Sequence, residues 1–445
     1  MSCILLNSPI YWNSTDANEE YLPPIGLGYI ATQLLDSNIE VEIVDCVKLQ
    51  LGVNEVISIL ADKKPAYIGI NIFTQNYDIV KHIAENCPAG SSLIIGGQVV
   101  KHIYLEILAW PIKNKLMIII GEGELVVPAI IKGNATENPL VAEGDKKVYI
   151  VNQDSVYFPR DLSKIHLSRT FLGKEIIKNH YGRSEAAIIT SRGCMYDCAF
   201  CGGARSLNKD IAIRIRTPED ITLEISEIGK VHPSVTYIRI LDDLFLRNRD
   251  SIKDAINLFN QFPSLSWRGM AHALSFVNSL DLMDGVFKSG CNELFIGIES
   301  GSDKIRKKIN KVGNIEQVVS TIAAILNAGI DVKGYFIYGF PTETLEDFDM
   351  TFSLASKLKL LSKSTVGNFR CSVFQFRPYH GTKLYKEILQ SGHLIKSVVA
   401  NTNINVLPNR SQFNFQSGNY SEVNSEILED YILRTQRLSE EKYND

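Results

Sequence analysis

The sequence predicts an α/β protein: an amino-terminal doubly wound parallel sheet, then a partial (β/α)6 barrel, then a small carboxyl-terminal helical cap. Three observations carry this. Short Val/Ile/Leu runs alternate with helical spacing over residues 1–135, the pattern of strands buried on both faces beneath crossover helices. A second alternation, with six strand candidates, runs through 186–390. The stretches 136–185 and 391–445 are more polar and less regular, and serve as connector and cap. At 445 residues, 45% hydrophobic and 22% charged, the chain is long enough for two cores and too apolar to be disordered.

In the first unit, β-branched runs place strands at 3–9, 41–46, 67–74, 93–97 and 116–120. Helices are expected at 24–37, 54–62 and 77–86. The first of these has Pro24 suited to its opening turn and Ile25, Leu27, Ile30, Leu34 and Leu35 at helical spacing. Ligands in open parallel sheets sit at the carboxyl ends of the strands. The candidates there are Phe73, Thr74, Gly96, Gly97 and Glu122. A hairpin is expected near 140–151. The second unit reads as strands at 187–191, 236–241, 265–271, 293–298, 332–338 and 369–376. Helices lie between them at 218–229, 251–262, 281–288, 315–328 and 345–361. Barrel chemistry belongs on the loops after the strands. An amphipathic helix at 426–438 is expected to pack as a cap.

The charge balance, 46 basic against 50 acidic residues, offers no general attraction to nucleic acid or anionic lipid. No run approaches the roughly 18 apolar residues of a membrane span. The start of the chain reads as a first strand, so a cytoplasmic location is expected. There the eight cysteines are core thiols or ligands, not disulfides. Cys3, Cys46, Cys87, Cys291 and Cys371 are scattered. Cys194, Cys198 and Cys201 form C-x3-C-x2-C directly after the strand at 187–191. Three thiolates can hold iron or zinc. Structural zinc takes four protein ligands, and no fourth cysteine follows nearby. A 4Fe-4S cluster held by three cysteines leaves one iron open, which implies cofactor or substrate chemistry there.

The run Arg192-Gly193-Cys194-Met195-Tyr196-Asp197-Cys198-Ala199-Phe200-Cys201 resembles the cluster loop of radical S-adenosylmethionine (SAM) enzymes. The resemblance implies a 4Fe-4S cluster on Cys194, Cys198 and Cys201, with SAM chelated to the open iron. Reductive cleavage of SAM then releases a 5′-deoxyadenosyl radical, the electron coming from an external donor such as flavodoxin or ferredoxin. Phe200 is implied beside the adenine. Asp242 and Asp243 are implied near the methionine amino group, and Glu299 near the ribose. Gly339, within Gly334-Tyr335-Phe336-Ile337-Tyr338-Gly339-Phe340-Pro341, resembles the fifth-strand signature near the adenine. Phe376-Arg377-Pro378-Tyr379-His380 resembles the sixth-strand end. His272 stands where similar enzymes often carry Arg. A histidine there can titrate near neutrality and exchange a proton; for radical chemistry without cobalamin, His272 or a tyrosine such as Tyr335 is the candidate proton donor.

Pro23-Pro24-Ile25-Gly26-Leu27-Gly28-Tyr29 and the later ends Gly96-Gly97 and Gly121-Glu122-Gly123-Glu124 resemble the cobalamin-binding domain of many such enzymes. The D-x-H-x-x-G pattern that supplies a cobalt-ligating histidine is absent. The leading expectation is cobalamin-dependent C-methylation of an unactivated carbon in a small-molecule or natural-product substrate. SAM there methylates cob(I)alamin and is also the radical source. Two alternatives stand beside it: a cobalamin-independent radical dehydratase, epimerase or ring-forming enzyme, and a non-catalytic metal-binding scaffold. The basic run at 304–308 reads as a solvated helix face, so no nucleic-acid partner is expected.

Overall fold

A computed structural model describes residues 2–12, 21–172, 177–392, 404–409 and 417–439. The first half runs β1 (Ser2–Asn7), α1 (Ile25–Asp36), β2 (Glu40–Asp45), α2 (Val53–Lys63), β3 (Tyr67–Asn71), α3 (Tyr77–Glu85), β4 (Ser92–Gly96), α4 (Val100–Leu108), β5 (Leu116–Gly121), α5 (Val126–Ile131), β6 (Val141–Glu143) and β7 (Lys146–Val151). The second runs β8 (Ile177–Lys178), β9 (Ser184–Ile188), β10 (Ser191–Arg192), β11 (Arg214–Ile215), α6 (Pro218–Val231), β12 (Tyr237–Ile240), α7 (Arg249–Phe259), β13 (Ser266–Ala271), α8 (Met283–Lys288), β14 (Cys291–Glu299), α9 (Asp303–Lys308), α10 (Ile315–Asn327), β15 (Asp331–Tyr338), α11 (Leu345–Ser362), β16 (Phe369–Gln375), α12 (Lys383–Gln390) and α13 (Ser425–Arg437).

The first sheet has the order β2-β1-β3-β4-β5-β7-β6 and is parallel except at β6. Alternation along β1 explains the double winding. Ile4 and Leu6 join a core under α2, α3 and α4, while Cys3 and Leu5 join the opposite core under α1 and α5. The helices α4 and α5 were not expected from the sequence, although Val100, Ile103 and Ile107 are spaced along one face of α4. The expected hairpin forms, but it does not stand apart as a connector. β7 pairs in parallel with β5 from Leu116↔Lys146 to Gly121↔Val151. The sheet therefore continues past the expected boundary at 135.

The second sheet has the order β16-β15-β14-β13-β12-β9-β8, parallel except at β8, and is the expected six-stranded partial barrel with one added edge strand. Its outward residues, among them Trp267, Leu294, Ile296, Val332 and Phe336, are fully buried against the helices. The expected carboxyl-terminal helix forms at Ser425–Arg437. Helix α13 packs Leu428, Tyr431 and Ile432 into this same outer core. Thr435 Oγ1 lies 2.8 Å from the Tyr338 hydroxyl, and the Cys371 N–H donates to Ser439 Oγ at 2.7 Å. The helix thus covers the outer face of β15 and β16, where the sixth outer helix of a barrel belongs. The rest of the expected cap, at 393–403, 410–416 and 440–445, lies outside the described residues.

Inside the barrel, a charged plug closes the amino ends of the strands. Arg268, with no exposure, binds both oxygens of Glu185 at 2.7 and 2.9 Å and Glu293 at 3.0 Å. Arg370 reaches Glu293 at 2.6 Å. Burial alone would raise the Glu293 carboxyl, but Arg370 and Arg268 hold it down at about 2. Its stabilising effect is therefore complete above the ordinary carboxyl range near 4.5 and declines as pH falls towards 2. Arg268→Met leaves two buried carboxylates without their shared cation. It is expected to cost about 3–5 kcal/mol, read as a lower urea midpoint for barrel unfolding. Lys63→Met, at the exposed pair with Glu42, should change stability by no more than about 1 kcal/mol. Equal midpoints for the two variants would refute the plug.

Candidate active site

The cysteine loop leaves the barrel through the short β10–β11 ladder and turns at Gly193, whose φ of +94° lies in the region that favours glycine. The loop is pinned on the barrel side: the Ala199 N–H donates to Ile309 O at 2.8 Å, and the Leu384 N–H donates to Ala199 O at 3.1 Å. Within it, Cys201 N–H donates to Cys198 O, and Cys201 Sγ accepts the Gly203 N–H at 3.3 Å. All three thiols are partly exposed. Burial raises each of them, Cys201 to about 12, so a bound cation is what would hold them as thiolates. Among the described residues no three His, Cys, Asp or Glu side chains are grouped to hold one metal ion. A four-iron cluster gives each thiolate its own iron, so its sulfurs need not converge. Three thiols on one accessible loop suit that donor set.

A cavity of about 1180 Å³ opens between the two sheets, lined by Cys194, Gly193 and Asp243 on one side and Gln98, Glu122 and Gln153 on the other. It is larger than a typical small-ligand cleft. One wall is the carboxyl ends of β4, β5 and β7, where open parallel sheets receive ligands, and the other is chiefly the loop between β10 and β11, with Asp243 beyond β12.

The structure separates the predicted residues. Asp243 lines the cavity and accepts the Gly193 N–H at 3.2 Å. Asp242 is buried and spent on the barrel itself, accepting from the Thr190 N–H at 2.7 Å and from the Thr190 and Ser191 hydroxyls at 2.6 Å each. Phe200 packs edge-on to Phe340, ring centres 5.6 Å apart. Glu299 sits at a bulge in β14 with a φ of +67° and pairs with Lys311 at 3.0 Å. A non-glycine residue held there stores strain, which concentrates at functional sites. Gly339 has a φ of +95°, and a Cβ on it would meet only ordinary contacts. Its turn serves to aim its N–H at Glu343 Oε2, 2.8 Å away. Tyr335 faces the barrel interior between Phe295 and Phe374, at 6.2 and 5.8 Å, and burial raises its phenol.

His272 differs from the titrating group the sequence suggested. Its ring packs on Tyr196, centres 4.2 Å apart, and Nδ1 accepts the Leu274 N–H at 3.1 Å. Burial, with Lys311 and Arg306 nearby, pushes it down to about 3, so it is a neutral ring at neutral pH.

On the amino-terminal side, Gly97 has a φ of +130°, and a Cβ there would lie 2.3 Å from Ile72 O. Gly96 O accepts the Ile72 N–H at 2.7 Å. Phe73 is at the margin of exposure, whereas Thr74 is buried, its hydroxyl 3.0 Å from His380 Nδ1. Glu122 is held by Arg214 and Arg192. Burial would raise its carboxyl, but the two arginines keep it low. The roles of Arg192, Arg214, Lys311 and Gln98 were missed in the sequence. The one available signal was the Glu-Gly-Glu spacing of 122–124 opposite an Arg beside the first cysteine. Glu343 was also missed: it is fully buried, and burial raises its carboxyl to about 8.

Residues 188–355 match the Radical SAM superfamily, and residues 17–131 match the B12 binding domain. The chain is 26% identical over 392 residues to an uncharacterized methyltransferase of Pyrococcus horikoshii, covering 84% of this chain and 80% of that one. It is 22% identical over 435 residues to the cytidylyl-2-hydroxyethylphosphonate methyltransferase of Streptomyces wedmorensis, covering 83% and 78%. Its fold resembles OxsB, a cobalamin-dependent SAM radical enzyme, with a TM-score of 0.66 at 16% identity, over 96% of this chain and 65% of that one. It also resembles TsrM from Kitasatospora setae, a radical SAM methyltransferase, with a TM-score of 0.63 at 16% identity, over 88% and 76%. Both likenesses are of fold. This chain is therefore a radical SAM enzyme that carries an amino-terminal B12 binding domain.

Proposed function

We propose that this enzyme transfers a methyl group from a bound corrin to an unactivated carbon of a small-molecule substrate. The observation that carries the reading is the single cavity shared by the cysteine loop and the carboxyl ends of the amino-terminal sheet. The relatives named methyltransferases are consistent with it. When bound, the cluster supplies the electron that cleaves SAM, and the corrin supplies a methyl carrier.

The protein's own groups position and shield. Cys194, Cys198 and Cys201 would hold the cluster. Asp243, at the cavity wall, would accept a hydrogen bond from the methionine amino group. Glu299, steadied by Lys311, would accept from ribose hydroxyls, and Phe200 with Phe340 would flank the adenine. Asp242 would act one step back by fixing Thr190 and Ser191 under the loop. Gly96 and Gly97 would let the corrin approach the β4 end closely, with Phe73, Thr74 and Glu122 on neighbouring ends. His272 would serve as a neutral hydrogen-bonding wall beside Tyr196, and Tyr335 as a phenol inside the barrel between Phe295 and Phe374. The electron would come from a reduced flavodoxin- or ferredoxin-type donor. No helix among the described residues is long and apolar enough to cross a membrane.

Three outcomes test this. Cys198→Ala should lose most bound iron after anaerobic reconstitution and form no 5′-deoxyadenosine from SAM and dithionite; full iron and turnover in that variant would remove the cluster assignment. Wild-type protein should retain hydroxocobalamin through gel filtration, and its failure to do so would sink the methyl-transfer reading while leaving radical cleavage of SAM intact. Because His272 is neutral down to about pH 3, the pH profile of 5′-deoxyadenosine formation over pH 5–8 should have the same apparent pKa values in wild type and in His272→Asn. A limb near 6.5 that vanishes in the variant would restore His272 as a titrating group.

A further inference from the structure

Two arginines on the β10–β11 ladder reach out of the barrel and into the amino-terminal domain. Arg192 ends β10, two residues before Cys194, and Arg214 lies opposite it in register. Arg192 Nη1 is 2.7 Å from Glu124 Oε1 and 3.2 Å from Glu122 Oε1. Arg214 Nη1 and Nη2 donate to the two oxygens of Glu122 at 2.8 and 2.6 Å. The Arg192 guanidinium also stands 5.2 Å from the ring centre of Tyr29 on α1. None of the four charged side chains is more than 18% exposed. A second contact follows the same path: a Cβ on Gly202, in the cysteine loop, would lie 2.8 Å from Gln98 Nε2.

The carboxylates are aimed by the backbone. Gly121 has a φ of +109°, and a Cβ there would lie 2.1 Å from Val151 O, so the turn that presents Glu122 is fixed by β7. The bidentate Arg214–Glu122 pair has one good geometry, Arg192 places its Nη1 between Glu122 and Glu124, and removing either arginine strands a buried charge. Only Gly193 separates this anchor from the first cysteine. The cysteine loop therefore takes its position from the β5 end as well as from the barrel. Two sites joined by such a link share a free energy, and that coupling is reciprocal.

We propose that the bridge from Arg192 to Glu122 and Glu124 couples the two cofactor sites, so that loading the cysteine loop and filling the corrin face of the amino-terminal sheet favour each other. This rests on the corrin-binding reading above. Arg192 is a positioning residue: it acts through Glu122, Glu124 and the backbone of Cys194.

The test is the dissociation constant of hydroxocobalamin on cluster-loaded and on iron-free protein, for wild type, Arg192→Gln, Arg192→Lys and Glu124→Gln. The wild-type ratio of iron-free to cluster-loaded constants is expected to fall within about 5–150, the usual span of a coupling between sites. It should fall to near one in Arg192→Gln. Arg192→Lys should be intermediate, because lysine keeps the charge without the planar fork or the stacking on Tyr29. Glu124→Gln is nearly isosteric, lies in the other domain and spares the Arg214–Glu122 pair. It carries the test if Arg192→Gln does not fold. An unchanged ratio in fully iron-loaded, folded Arg192→Gln or Glu124→Gln overturns the coupling. A wild-type ratio of one also overturns it, with corrin binding left standing. A wild type that binds no hydroxocobalamin overturns the corrin reading and the coupling together.

Discussion

Parallel strands end together. Every loop after a strand emerges on one edge of the sheet, and the unpaired backbone groups and irregular turns that can receive a ligand collect there. This protein sets two such edges against each other. The β4 and β5 ends supply Gln98 and Glu122, and the barrel supplies Gly193, Cys194 and Asp243, all to one cavity.

That arrangement is built from different materials. The outer faces of both sheets are apolar and close-packed, which supports the strands without specifying how the domains face each other. That relation is held by a smaller apolar cluster, Ile25 and Tyr29 of α1 with Leu167 and Ala187, and by directional contacts: the paired arginines on Glu122 and Glu124, and the Thr74–His380 contact beyond them. The barrel interior follows a similar division. Its amino end is sealed by Arg268, Arg370 and two carboxylates, and polarity at its mouth is left to Asp243, Glu299 and Lys311.

Burial changes what several side chains can do. His272 looks like a proton carrier in the sequence, but a backbone donor on Nδ1 and two nearby cations make it a neutral wall. Asp242 and Asp243 are adjacent and chemically identical. One is consumed by three short hydrogen bonds to Thr190 and Ser191, and the other is presented to the cavity. Both lie in the loop just after β12, where the local turn sends one inward and the other to the cavity, so residue type alone could not divide their roles.

Periodicity and spacing sufficed for much of this protein. Alternating apolar runs located the strands of both sheets to within a few residues, the edge strand β8 excepted, because burial on both faces leaves a strong local signal. The spacing of Cys194, Cys198 and Cys201 marked the cysteine loop for a similar reason, since one short segment holds all three thiols. The long-range facts were decided only by the tertiary structure: that β7 extends the first sheet beyond 135, that α13 covers the outer face of the barrel, and that Arg192 meets Glu122 and Glu124 across the domain junction. Each depends on pairing between segments tens of residues apart, where loop closure and packing choose the partner and no local pattern records the choice.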